Sequence, residues 1–244
     1  MRKFIFEVCA NSLQSAIAAE TGGADRIELC AQLDAGGITP SAATLKLAVK
    51  KLSIPVFVLI RPRSGDFIYD DTDFAVIKED ILFAKEAGAA GVVIGLLKHN
   101  GEVDIERTTE LVNLARPMQF TFHRAFDRTP DPLAALEDII KTGADRILTS
   151  GQQKSALTGK ELLKTIVEKA GERIIILAGA GINPGNVSEI ISFTGANEIH
   201  ASCSINLDRK TGFVSSLDAE NTITLTDDKI VNQIASLLKN HSKL

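Results

Sequence analysis

Short apolar runs alternate with longer amphipathic stretches along almost the whole chain. Runs of strand length fall at Phe4–Val8, Asp25–Leu29, Pro55–Ile60, Gly91–Ile94, Gln119–Phe122, Asp145–Thr149, Arg173–Leu177 and Asn197–Ala201. The third, PVFVLI, is apolar on both faces, as befits a parallel strand covered on two sides. Helical patterns follow at Ser12–Thr21, Pro40–Lys51, Thr72–Ala87, Asp104–Ala115, Pro130–Thr142, Thr158–Ala170, Pro184–Phe193 and Asp227–Asn240. Eight uninterrupted βα units predict one α/β domain over residues 1–244, a closed (β/α)8 barrel of the TIM type, rather than an open doubly wound sheet. The stretch 204–226 has no helical pattern and reads as a lid, an edge or an oligomer contact before the last helix.

A repeat supports the barrel. GADRIELC from Gly23, GAAGVVIG from Gly88, GADRILTS from Gly143 and GANEIHAS from Gly195 precede and form the second, fourth, sixth and eighth strands. Aligning them sets Glu28, Val93, Leu148 and His200 at one level of the barrel, with Cys30, Gly95, Ser150 and Ser202 above, since alternate strands contribute to the same layer.

Composition removes several function classes. Hydrophobic residues make up 45%, enough for a sizeable core, and the net charge of −4 gives no footprint for nucleic acid. No basic amphipathic stretch suggests a membrane surface, and no apolar span approaches the roughly 20 residues of a membrane helix. The start, MRKFIFEVC, is broken by Glu7 and too short for a signal peptide. Three cysteines, an odd number, fit a reducing cytoplasm better than a disulfide framework. No Gly-x-Gly-x-x-Gly follows the first strand, so no nucleotide cofactor is expected.

Strand parity gathers polar residues at the carboxyl ends of the strands, where barrels of this kind do chemistry. The first strand offers Glu7 and Cys9, the second Glu28 and Cys30, the third Arg61 and Arg63, and the fifth His123 followed by Arg124. Burying such charges singly costs several kcal/mol each. Glu7 and Glu28 are therefore expected to pair with Arg61 and Arg124. A structural ion-pair network is the bland alternative, but these layers are normally filled by branched apolar residues, so a polar mouth points to a site. His123 reads as a proton carrier tuned by the carboxylates, or as a metal ligand. Cys9 and Cys30, on adjacent strands, could hold a soft ion such as Cu(I), or serve as small apolar filler. The turn AGAGINPGN, with Gly179 and Gly181, and the turn TSGQQKSA, with Ser150, could bind an anion together with Arg63 and His200, or could simply be tight turns.

The motifs FEVC, GGADRIELC, GGITPS, PVFVLIRPRSGDF, TFHRAFD and ADRILTSG, in this order from about residue 4 to 203, make the chain similar to the CutC family of copper homeostasis proteins. The resemblance implies a cytoplasmic TIM-type barrel that forms homo-oligomers and handles copper, with Cys9 and Cys30 as Cu(I) ligands. Family members tend to carry three glycines after the seventh strand; here Ala180 interrupts them, and an alanine in a left-handed turn would be strained. Two functions are expected on these grounds. One is copper binding through the paired cysteines. The other is catalysis on a small anionic molecule, possible substrates including phosphorylated ones, by Glu7, Glu28, Arg61, His123 and Arg124.

Overall fold

The computed structural model describes residues 4–208 and 222–242. Its first half runs β1 (Ile5–Ala10), α1 (Leu13–Gly22), β2 (Arg26–Leu29), α2 (Ala42–Lys51), β3 (Val56–Leu59), α3 (Asp71–Glu86), β4 (Gly91–Ile94) and α4 (Ile105–Ala115). The second runs β5 (Gln119–Phe122), α5 (Pro132–Thr142), β6 (Arg146–Thr149), α6 (Lys160–Ala170), β7 (Ile175–Ala178), α7 (Val187–Thr194) and β8 (Glu198–Ala201). β1 pairs in parallel with both β2 and β8, which closes the eight-stranded barrel. The chain then forms a two-stranded antiparallel ribbon, β9 (Ser204–Asp208) with β10 (Thr222–Thr226), and ends in α8 (Asp228–His241). The expected helix-free stretch thus contributes a ribbon at both its ends; residues 209–221 lie outside the described residues. No helix among the described residues is long and apolar enough to cross a membrane.

Side-chain caps set where the helices begin. Ser12, Ser41, Asp70, Asp104, Asp131 and Asp227 each accept a backbone N–H of the first turn. α2 therefore starts after Ser41 rather than at Pro40. α7 starts three residues later than its sequence pattern suggests. There the Asn183 side chain accepts the Gly185 N–H and Asn186 accepts that of Asn183, so the backbone bonds locally instead of entering the helix.

Alternation along each strand separates two cores. Phe6, Val8, Ile27, Leu29, Val58, Ile60, Phe120 and Phe122 are buried under the helices. The opposite parity fills the barrel, and much of it is polar: Glu7, Arg26, Glu28, Thr121 and Arg146 are all buried. Only glycine fits at position 91, because a Cβ there would lie 2.6 Å from the Phe57 ring. That ring fills the lower barrel, and the guanidiniums of Arg26 and Arg146 stand over it at 4.8 and 5.1 Å from its centroid.

Candidate functional site

A chain of buried charges rises along the barrel axis. Arg146 bonds Gln119 and Glu198, and Arg26 bridges Glu198 (2.6 Å) to Glu7 (2.5 Å). The second oxygen of Glu7 meets His200 Nδ1 at 2.8 Å. The expected pairing of Glu7 and Glu28 with Arg61 and Arg124 is therefore wrong: Arg26, one of the residues the parity argument passed over, neutralises Glu7. A signal was present. Arg26, Gly91, Arg146 and Glu198 occupy the same position in the four repeats, one layer below Glu28 and His200.

The chain of charges sets protonation states. Burial alone would raise Glu7, but Arg26 and His200 outweigh it and hold the carboxyl down at about 2. Burial opposes charge on His200, yet Glu28 and Glu7 together raise its pKa above that of a free imidazole. The imidazolium is thus favoured, its Nδ1–H donating to Glu7.

Above this chain lies a cavity of about 250 Å³ at the carboxyl ends of the strands. Cys9, Glu28, Cys30, Arg61, His123 and His200 all line it, as do Arg124 and Gly181. Among the described residues, Glu28, Arg61 and His123 each bring to it one buried polar atom without a partner. Glu28 Oε1 receives the Cys9 thiol at 3.5 Å, while the buried Oε2 has no partner among the described residues. Burial, reinforced by Glu7, raises its pKa despite the opposing pull of His200. Cys9 and Cys30 face each other with sulfurs 3.6 Å apart. The Cys30 thiol, burial and Glu28 hold Cys9 well above the ordinary thiol range, so it is a protonated thiol until something displaces the proton. One donor atom each from Cys9, Glu28 and His200 lie within 4.8 Å of one another, a set that could hold a metal ion.

His123 is a different species from the one expected. Among the described residues no carboxylate reaches it. Burial, and then the charge of Arg61, push its pKa down to about 3, so the ring is neutral. Its Nδ1 accepts the Ala125 N–H at 3.2 Å, which leaves the proton on Nε2. That nitrogen is buried without a partner among the described residues, and the ring packs on Phe67 at 4.7 Å. His123 is therefore a hydrogen-bond donor toward the cavity rather than a proton carrier tuned by the carboxylates.

The arginines separate. Arg61 is buried, but its Nη1 donates to the carbonyls of Ala35 and Gly37 and its Nη2 to that of Gly65; Nε is left unpartnered. Backbone dipoles, not an acid, compensate it. Arg63 lies outside the cavity, its guanidinium held by Asp66 and Asp73 beyond the end of β3. Arg124 lines the cavity while its Nε binds Asp127 at 2.8 Å and its Nη2 donates to Ser150. Ser150 is a brace between those two side chains and does not line the cavity.

The expected anion turn after β7 contributes less than its glycines suggest. Gly179 is needed for packing, since a Cβ there would press on Leu148 at 2.6 Å and on His200 at 3.3 Å. Ala180 does adopt the left-handed conformation, with φ 78°. Replacing it by glycine should raise stability by about 1 kcal/mol, read from the urea midpoint, because the Cβ clash is removed. Beyond β8 the chain enters the β9 ribbon, so among the described residues no helix N-terminus faces the cavity from that side.

Comparison with known proteins places this geometry among relatives. A family model described as the CutC family matches residues 4–205. A human copper homeostasis protein cutC homolog is 43% identical, covering 97% of this chain and 90% of its own length. A CutC family protein from Vibrio vulnificus is 48% identical over 86% of this chain and 85% of its own. The solved structure of CutC from Streptococcus agalactiae superposes with a TM-score of 0.78 at 32% identity, covering 82% of this chain and 98% of the other. An aldolase at 16% identity and TM-score 0.65 shares the barrel fold alone.

Proposed function

The chain belongs to the CutC family, and from that premise we propose that its barrel mouth is the active site of an enzyme moving a proton on a small anionic molecule. The observation that carries this reading is the unpartnered Oε2 of Glu28, buried in a cavity together with a neutral His123 whose Nε2–H is also unpartnered. Burial raises the pKa of that carboxyl, which makes it a stronger base than a free glutamate. In this reading Glu28 Oε2 takes a proton from a carbon beside a carbonyl. The negative charge that develops on the carbonyl oxygen is met by the neutral His123 through Nε2–H, with the His200 imidazolium as the positive group. Returning the proton to a different position completes the turnover, and Glu28 ends as it began.

The test is conversion. Incubating the protein with pooled small phosphorylated and carboxylated metabolites should deplete at least one of them, and the Glu28→Gln variant should leave it untouched. If wild type and variant give the same product profile, the catalytic reading is lost.

A second reading is copper handling by a cytosolic homo-oligomer, as the family's name suggests. It is favoured by the 3.6 Å between the sulfurs of Cys9 and Cys30 and by the nearby oxygen of Glu28. The Cys9 thiol, the Glu28 carboxylate and the His200 imidazole form a donor set, with the Cys30 sulfur beside Cys9, and sulfur ligands suit a soft ion. Binding would have to displace thiol protons, so affinity should increase with pH. Anaerobic titration of Cu(I) should show a site that disappears in the Cys9→Ser/Cys30→Ser protein; binding that persists in that protein would eliminate the cysteines as ligands.

A further inference from the structure

The cavity does not end at Arg61 and Arg124. A second concavity of about 500 Å³ adjoins it, sharing Gly36, Arg61, Phe67 and Arg124 as a common wall. Four cations surround this vestibule (Arg61, Arg124, Arg128 and Lys154) against one acid, Asp127. The excess is local, because the chain as a whole carries a net charge of −4.

The single acid is already committed. Its side chain is only 7% exposed, and it accepts from Arg124 Nε, Thr149 Oγ1, Ser150 Oγ and the backbone N–H groups of Ser150 and Gln152. Asp127 therefore orients Arg124 and has little left with which to repel an incoming anion. Arg61 adds a buried Nε with no partner. Arg128 stands over the Phe67 ring at 5.8 Å, and among the described residues neither it nor Lys154 has a carboxylate partner. Phe67 joins the two compartments, since its other neighbours are Arg61 and His123.

We infer that this vestibule, formed by the loops after β2, β3, β5 and β6, binds the phosphoryl group of the substrate while the reacting part lies inward beside Glu28. Arg128 and Lys154, without a carboxylate partner among the described residues, together with the charge of Arg61, which no acid offsets, match a dianion better than a single carboxylate. The site lies away from the loops after β7 and β8, where such barrels usually hold phosphate. The inference rests on the catalytic reading for the word substrate; the phosphate site itself stands on the cations alone.

Titrating inorganic phosphate into the full chain and following the ³¹P line width should give saturable binding that weakens with added salt. The Arg128→Ala/Lys154→Ala protein, altered only at exposed side chains, should bind at least about tenfold more weakly. Absence of saturation, or an unchanged affinity in the double variant, would overturn the assignment. Acetate competing as well as phosphate would overturn its phosphoryl part. Glu28→Gln should bind phosphate like the wild type, so a failed conversion test and a failed vestibule are told apart.

Discussion

Arg26→Ala is expected to destabilise the barrel by about 3–5 kcal/mol, read from urea unfolding. The guanidinium is buried and lies between two buried carboxylates, Glu7 and Glu198. Removing it leaves Glu7 with His200 alone and Glu198 with Arg146 alone, while the Phe57 ring loses a cation over its face. Much of the loss is the cost of charges stranded away from water rather than the worth of the pair itself. Arg26→Met/Glu7→Gln, which removes a charge from each side, should recover most of the stability. A single variant within about 1 kcal/mol of wild type would mean that the axial charges are solvated rather than sealed.

Glu28→Gln is expected to lower turnover by about 10²–10⁴-fold, the range associated with a positioned acid–base group. The amide keeps the shape of the side chain and cannot carry the proton. The same substitution should stabilise the fold. A group whose pKa rises on folding favours the folded state below its unfolded pKa, and that advantage is lost as pH rises through the folded value. Glu28 is such a group, so the wild type should weaken relative to Glu28→Gln as pH climbs above the free value of 4.5. Stability gained together with activity lost is the signature expected of a residue kept for chemistry. Turnover lost without that gain would indicate a structural carboxylate.

Much of this was legible in the chain because parity is rigid within a strand. Glu7, Cys9, Glu28, Cys30, Arg61 and His123 were expected to face inward, and each lines the barrel or its mouth. Parity still holds one or two residues past a strand, at Cys30, Arg61 and His123, and fails further out. β3 ends at Leu59, so Arg63 belongs to a loop whose direction is set by Asp66 and Asp73. Partner choice was not legible either. It depends on the stagger between strands, which sets Glu7 beside Arg26 and Cys9 beside Glu28. His123 shows a third limit. Its facing follows from alternation, but its tautomer is decided by the Ala125 N–H, a contact made by the turn after β5. Arg26 and Arg146 were visible in the repeat as GADR but stand at the first residue of their strands, where a charge reads as a solvent-facing edge.

The raised pKa of Glu28 is the claim on which the catalytic account turns, and infrared difference spectroscopy observes it directly. At a pH where free glutamate is already ionised, the wild type should show the C=O stretch of a protonated carboxyl that is missing from Glu28→Gln and fades only on further raising the pH. Spectra in which the two proteins show no such difference, with Glu28 ionised like a free side chain, would contradict it.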